Sequence, residues 1–158
     1  MMITLNHTIV SARDKDAAAC LFAEIFGLRF EGLGGHFAPV RVNDTLTLDF
    51  ADAKGTIASQ HYAFHVSDAE FDAILQRVKD AGLAFGSGPR RLEDGKLNDW
   101  NGGRGFYYKD HDGHVIELMT MPQLAAGVVR SSVSCDVGAD PTKWSVSLHK
   151  SRVNGGGS

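Results

Sequence analysis

Apolar residues in this chain recur with two periods, and the pattern runs through its sequence of elements twice. "LNHTIV" (residues 5–10) alternates in the manner of a strand. "SARDKDAAACLFAEIFG" then places Ala18, Leu21, Phe22 and Ile25 at helical spacing, with Asp14 or a neighbour suited to cap the start and Gly27 the end. "LRFEGL", "HFAPVRV" and "TLTLDFAD" predict three short strands separated by Gly34-Gly35 and Asn43-Asp44 turns. After a polar connector, "HYAFHV" predicts a new strand and "SDAEFDAILQRVKDAG" a helix with Phe71, Ile74, Leu75 and Val78 on one face. Ser67 and Glu70 form a capping box at its start, and Gly82 closes it. "LAFGSG" is a possible strand; the irregular "PRRLEDGKLNDWNGG" leads into the strands "RGFYYKD" and "HVIELMTM" around a "HDG" turn.

His7 opens one copy and His61 the other, while Gly27 and Gly82 close the equivalent helices, offsets of 54 and 55 residues. Such internal repetition predicts two similar modules, about 3–52 and 60–121, within one domain spanning 1–122. Residues 123–158 have weak periodicity and a "GGGS" end resembling linker chemistry, so a peripheral or disordered tail is expected, with room for a short helix or strand.

Parity along the strands separates packing residues from candidate chemistry, because successive side chains point to opposite faces. Tyr62, Phe64 and Val66 form an apolar face opposite His61, Ala63 and His65; Ile116 and Leu118 oppose Val115, Glu117 and Met119; Leu48 and Phe50 oppose Thr47 and Asp49. His7 shares its face with Leu5 and Ile9, which leaves its surroundings open. If helices cover the apolar faces, the polar ones line a cavity. A carboxylate there needs a compensating partner, and a divalent cation is an effective one. Two imidazoles and a carboxylate suit Fe(II), Mn(II), Ni(II), Co(II) or Zn(II). Separations of some fifty residues carry no local metal motif, and a strand glutamate more commonly faces solvent. His111 and His114 read as turn or surface residues.

Composition adds limits. With 43% hydrophobic and 22% charged residues and a net charge of −3, the chain has the profile of a globular protein without a nucleic-acid footprint. No apolar run is long enough for a membrane span and no signal peptide is evident. Two cysteines, Cys20 and Cys135, do not suggest a disulfide framework, so a cytoplasmic location is expected.

The doubled unit, together with "LNHTIV", "HYAFHV" and "FYYKDHDGHVIEL", resembles the vicinal oxygen chelate superfamily, which includes glyoxalase I, extradiol dioxygenases, fosfomycin-modifying enzymes and bleomycin-binding proteins. The resemblance covers residues 3 to 121 and implies an α+β fold of two βαβββ modules forming a curved mixed sheet around a metal-containing cavity. It implies a divalent metal held by His7, His61 and Glu117, with Asp49 in the place of a fourth ligand, a carboxylate, and a homodimer completed by module exchange. The implied function is coordination of a small oxygenated substrate for ring-cleaving dioxygenase or isomerase/lyase chemistry, with Glu117 and Tyr107 catalytic. Tyr107 matches a tyrosine of both the extradiol and fosfomycin-modifying groups, and Arg104 an arginine of one fosfomycin-modifying subgroup; Asn98 stands where the extradiol pattern has histidine. Asn98, Trp100, Arg104 and Tyr107 are the expected substrate contacts. The alternatives are a fosfomycin-modifying enzyme and a metal-free protein that sequesters an antibiotic.

Overall fold

The computed structural model describes residues 3–30, 32 and 35–122, together with the strand backbones of Val133–Val137 and Trp144–Leu148. The chain divides into two compact units, Met1–Pro122 and Gln123–Ser158. The first contains β1 (His7–Ala12), α1 (Lys15–Phe26), β2 (Ala38–Arg41), β3 (Thr47–Asp52), β4 (His61–His65), α2 (Asp68–Asp80), β5 (Phe85–Gly86), a short 3₁₀ turn at Trp100–Gly102, β6 (Gly105–Lys109) and β7 (Val115–Met119). In the second, β8 (Val133–Val137) and β9 (Trp144–Leu148) pair antiparallel. The expectation of a peripheral or disordered tail lies, apart from these two strands, outside the described residues.

The strands of the first unit form two mixed sheets, ordered β1-β3-β2 and β4-β7-β6-β5. The fold is therefore α+β with mixed sheets, as expected. Each sheet has one parallel pair, β1 with β3 and β4 with β7, next to an antiparallel neighbour. Corresponding ladders place Ile9 opposite Asp49 and Ala63 opposite Glu117. The repeat predicted from sequence is thus a repeat of register, and Asp49 is the counterpart of Glu117. Among the described residues of the first module, the strand expected at "LRFEGL" is not formed: Leu28–Phe30 are not in a strand, and Gly32, at φ +95°, departs from extended backbone. The rest of "LRFEGL" lies outside the described residues. Pro39 sits in β2, an edge strand, where its missing N–H costs no central ladder bond.

Both helices carry the predicted caps. The Asp14 side chain accepts the N–H groups of Asp16 and Ala17, and Ser67 and Glu70 form the reciprocal capping box. Gly27 and Gly82 take left-handed φ values of +67° and +68°, turning the chain so that Leu28 N–H reaches Ala23 O and Leu83 N–H reaches Val78 O.

Two apolar clusters fix the layers. Val10, Val40, Leu48 and Phe50 pack with Phe22 and Ala23 of α1. Phe106, Tyr108, Ile116 and Leu118 pack with Phe71, Ile74 and Val78 of α2, and Ile25 of α1 joins this second group. Each sheet therefore has one face against the helices and one face free of them. Among the described residues no helix is long and apolar enough to cross a membrane.

His114 departs from its expected surface role. It is fully buried: its Nδ1 accepts the Gln60 N–H at 3.0 Å, and its Nε2–H donates to Ser11 O at 2.7 Å. Because the Ser11 carbonyl can only accept, the ring is a neutral Nε2–H tautomer joining β1 to the start of β4. The turn before it is set by Asp110 Oδ1, which accepts the N–H groups of Asp112 and His114.

Candidate metal and substrate site

Glu117 lies at the centre of the helix-free face of the four-stranded sheet. Ile116 and Leu118 point into the α2 core, so strand alternation sends Glu117 the other way. Directly opposite in the β6–β7 ladder is Tyr107, whose hydroxyl donates to Glu117 Oε1 at 2.5 Å. On the other side, β4 brings His61 Nε2 to 2.9 Å from Glu117 Oε2. The carboxylate is only 13% exposed, whereas His61 is 48% exposed and open to an incoming ligand. The glutamate between apolar neighbours thus does not face bulk water; each of its oxygens has a partner.

Tyr107 is 3% exposed although it lies on the helix-free face, because the loop preceding β6 covers it. The Trp100 ring stands edge-on to the Tyr107 ring, centroids 5.9 Å apart, and is itself 51% exposed. Burial, followed by the hydrogen bond and negative charge of Glu117, pushes the Tyr107 phenol far above its usual value. Tyr107 is consequently a neutral hydrogen-bond donor throughout the physiological range.

The other expected site residues fall elsewhere. Asn98 holds the loop together: its Nδ2 donates to Ser87 O, its Oδ1 accepts Trp100 N–H, and its backbone bridges Gly105. Gly105 suits that crossing, since a Cβ there would sit 2.5 Å from Asn98 Oδ1 and displace the Asn98 amide. Arg104 is turned to the helix side, its guanidinium 4.5 Å above the Phe71 ring and paired with Asp68 and Asp72 of α2 at 3.3 and 2.5 Å. The hydrogen bond to Arg104 holds the Asp72 carboxyl below its ordinary range. Parity carried that information, because residue 104 shares its face with Phe106 and Tyr108 rather than with Tyr107. His65 Nε2 meets Thr120 O at 3.2 Å, away from the pair formed by His61 and Glu117.

His7 and Asp49 stand on the helix-free face of the other sheet. His7 is exposed, beside Leu5 at 64% and Ile9 at 53% exposure. Its Nδ1–H donates to Asn6 Oδ1 at 2.9 Å, so Nε2 is the ring nitrogen left for another partner. Among the described residues, no group of three His, Cys, Asp or Glu side chains is placed to hold one ion. Within the described residues of one chain, His61 is paired with Glu117 and His7 is not grouped with them.

Comparison with known proteins finds solved structures of similar fold. The chain is similar to a solved structure described as Oxidase ChaP-H2, with 43% identity and a TM-score of 0.74 over 77% of this chain and 96% of that one. Oxidase ChaP-H1 is similar at 43% identity and a TM-score of 0.73 over 77% and 98%. A glutathione transferase, FosA of Serratia marcescens, shares 27% identity over 75% of this chain and 81% of its own length. The metallothiol transferase FosB of Shouchella clausii (strain KSM-K16) shares 27% over 76% and 82%. The sequence profile of one superfamily matches residues 4–118, a span that takes in both modules and the His7, His61 and Glu117 positions. The chain belongs to the Glyoxalase/Bleomycin resistance protein/Dioxygenase superfamily.

Proposed function

We propose that this protein is a divalent-metal-dependent oxidase acting on a small oxygenated aromatic substrate. Its site is formed by His61 and Glu117 of one copy and His7 of a second. The observation that carries the reading is the Glu117 carboxylate, held by His61 on one oxygen and Tyr107 on the other, on a helix-free face. The oxidase assignment is supported by 43% identity to two proteins described as oxidases, across nearly their full length. A name that includes "metallothiol" on another relative supports the metal requirement.

The donor chemistry fits a metal ion. His61 Nε2 and Glu117 Oε2 are 2.9 Å apart, close to the separation of about 3 Å that two neighbouring ligands adopt on one ion with bonds of about 2.1 Å. A second copy is the natural source of a third ligand. His7 occupies the position in the first module that His61 occupies in the second, with an accessible Nε2, and the exposed Leu5 and Ile9 beside it suit an interface. Asp49, the counterpart of Glu117, would approach together with His7 as a candidate fourth ligand.

When bound, the ion supplies Lewis acidity and aligns paired substrate oxygens. Tyr107 fixes the orientation of Glu117 with the one proton its hydroxyl can donate. Trp100 offers an exposed aromatic face above Tyr107 on which a ring can stack, and its loop shields that side of the site from water. A thiol-transfer reading gains less support, because Arg104 is held by Asp68 and Asp72 on the far side of the sheet.

The test is metal titration of chelator-treated protein, followed by oxygen-electrode measurements with a panel of catechols and larger polyphenols. One tightly bound ion per site and substrate-dependent oxygen consumption are expected. Absence of tight metal binding removes the enzyme reading in favour of a binding protein. Metal binding without oxygen consumption across the panel shifts the assignment to isomerase or lyase chemistry.

A further inference from the structure

A cavity of about 170 Å³ lies on the helix side of the sheets, where the two modules meet. Leu21, Phe22 and Ile25 of α1 form one wall, and Phe50 of β3 and Ile116 of β7 stand across from them. Phe22 also stacks on Phe26, ring centroids 4.2 Å apart, so the wall is built from ordered aromatic packing. For scale, an apolar cavity of about 150 Å³ lined by Leu, Ile and Phe stays dry and accepts benzene. The space therefore matches a single ring.

One end of the cavity is polar. Tyr108 and Asp110 line it. Asp110 Oδ1 is occupied by the backbone N–H groups of Asp112 and His114. Among the described residues, neither the second Asp110 oxygen nor the Tyr108 hydroxyl has a hydrogen-bond partner. Burial raises the Asp110 carboxyl above its usual range, the expected consequence of removing a carboxylate from water without a cation beside it. The basic group at the rim does not supply one: Arg13 Nη1 is bound at 3.1 Å by both Asp112 Oδ1 and His111 O. Asp14, His111 and Asp112 line the cavity as well, and with Arg13 Nη1 bound to Asp112 and one Asp110 oxygen free, the carboxylates at this end favour a positively charged group.

We propose that this pocket between the modules binds a single-ring aromatic amine, its ring between Phe22, Ile25 and Ile116 and its ammonium group on Asp110 and Tyr108. The wall residues come from both modules, so an occupant also ties them together. This site is separate from Glu117, which points away from the helices, and its occupancy is read by binding rather than by turnover.

Benzylamine is a suitable probe, titrated into the full chain with and without metal and followed by calorimetry and backbone amide NMR. Saturable one-site binding is expected, with shifts at α1 and residues 108–114 and a raised Tm. Asp110→Asn keeps an oxygen for the two backbone N–H groups while removing the charge, and should weaken binding about ten-fold or more, as does loss of a charge-assisted hydrogen bond. Ala18→Leu, which fills the cavity from α1, should abolish benzylamine binding without changing metal affinity. Toluene and benzoate should each bind at least about ten-fold more weakly than benzylamine. Lack of saturation, shifts centred on Tyr107 and Glu117, or unchanged affinity in both variants would each overturn the assignment.

Discussion

Tyr107 donates its hydroxyl proton to Glu117 Oε1 across the β6–β7 ladder, leaving Oε2 to face His61. The phenol acts on the proposed ion only through the orientation of the carboxylate. Tyr107→Phe should therefore lower metal affinity by about ten-fold, at the modest end of what loss of a hydrogen bond to a ligand costs. A competition titration against a chromophoric chelator measures this, and equal affinity in parent and variant would remove Tyr107 from the positioning role.

Loss of a ligand itself should cost more. Glu117→Gln removes charge without changing volume, and His61→Ala removes a donor that is 48% exposed. Each should weaken metal binding on the order of 100-fold or more, while the urea midpoint of the metal-free protein stays near that of the parent. A large fall in that midpoint with intact metal affinity would mean that the pair serves the fold and not an ion.

A shared site makes a genetic prediction. His7→Ala and Glu117→Gln should each be inactive alone. Co-refolded mixtures should regain roughly a quarter of parental activity, because in mixed dimers one of the two sites has all of its native ligands. Sedimentation should show a dimer. No recovery in mixtures shown to contain mixed dimers would place all the ligands on one chain.

His114 is expected to act on stability alone. Replacing it by Leu leaves the Ser11 carbonyl and the Gln60 N–H without partners in a buried seam, which should cost about 2–4 kcal/mol. Chemical denaturation of the metal-free chain checks this. A change of less than about 0.5 kcal/mol, the range of ordinary surface substitutions, would show that water replaces the imidazole.

Asp110 sets a pH dependence of stability. Burial raises its folded-state value above that of the unfolded chain, so the folded state binds this proton more tightly. Its contribution to stability is favourable at low pH and is lost as pH rises from the ordinary carboxylate value of ~4 through the raised one. Asp110→Asn, free of the ionisation, should be more stable than the parent at pH 7 and lose that advantage in acid. Parallel Tm–pH profiles for the two proteins would contradict this.

Local signals in the sequence account for much of the fold. The caps at Asp14 and Ser67 and the left-handed Gly27 and Gly82 depend on residues within one helical turn of each other, so they are legible without tertiary information. Strand parity likewise determined that Glu117 and Tyr107 share a face opposite Ile116 and Tyr108, since the alternation is a property of the backbone. The same rule, applied to Arg104, would have sent it to the helix side, where Asp68 and Asp72 hold it. Tertiary structure alone decided the rest. The burial of His114 depends on a carbonyl 103 residues away, and Asn98 is committed to its loop by contacts with Ser87 and Trp100. The internal repeat indicated that His7 and His61 are equivalent positions. Whether equivalent positions meet is a matter of how sheets are juxtaposed, and here they stand on two different sheets, so His7 and the His61–Glu117 pair remain apart within the chain.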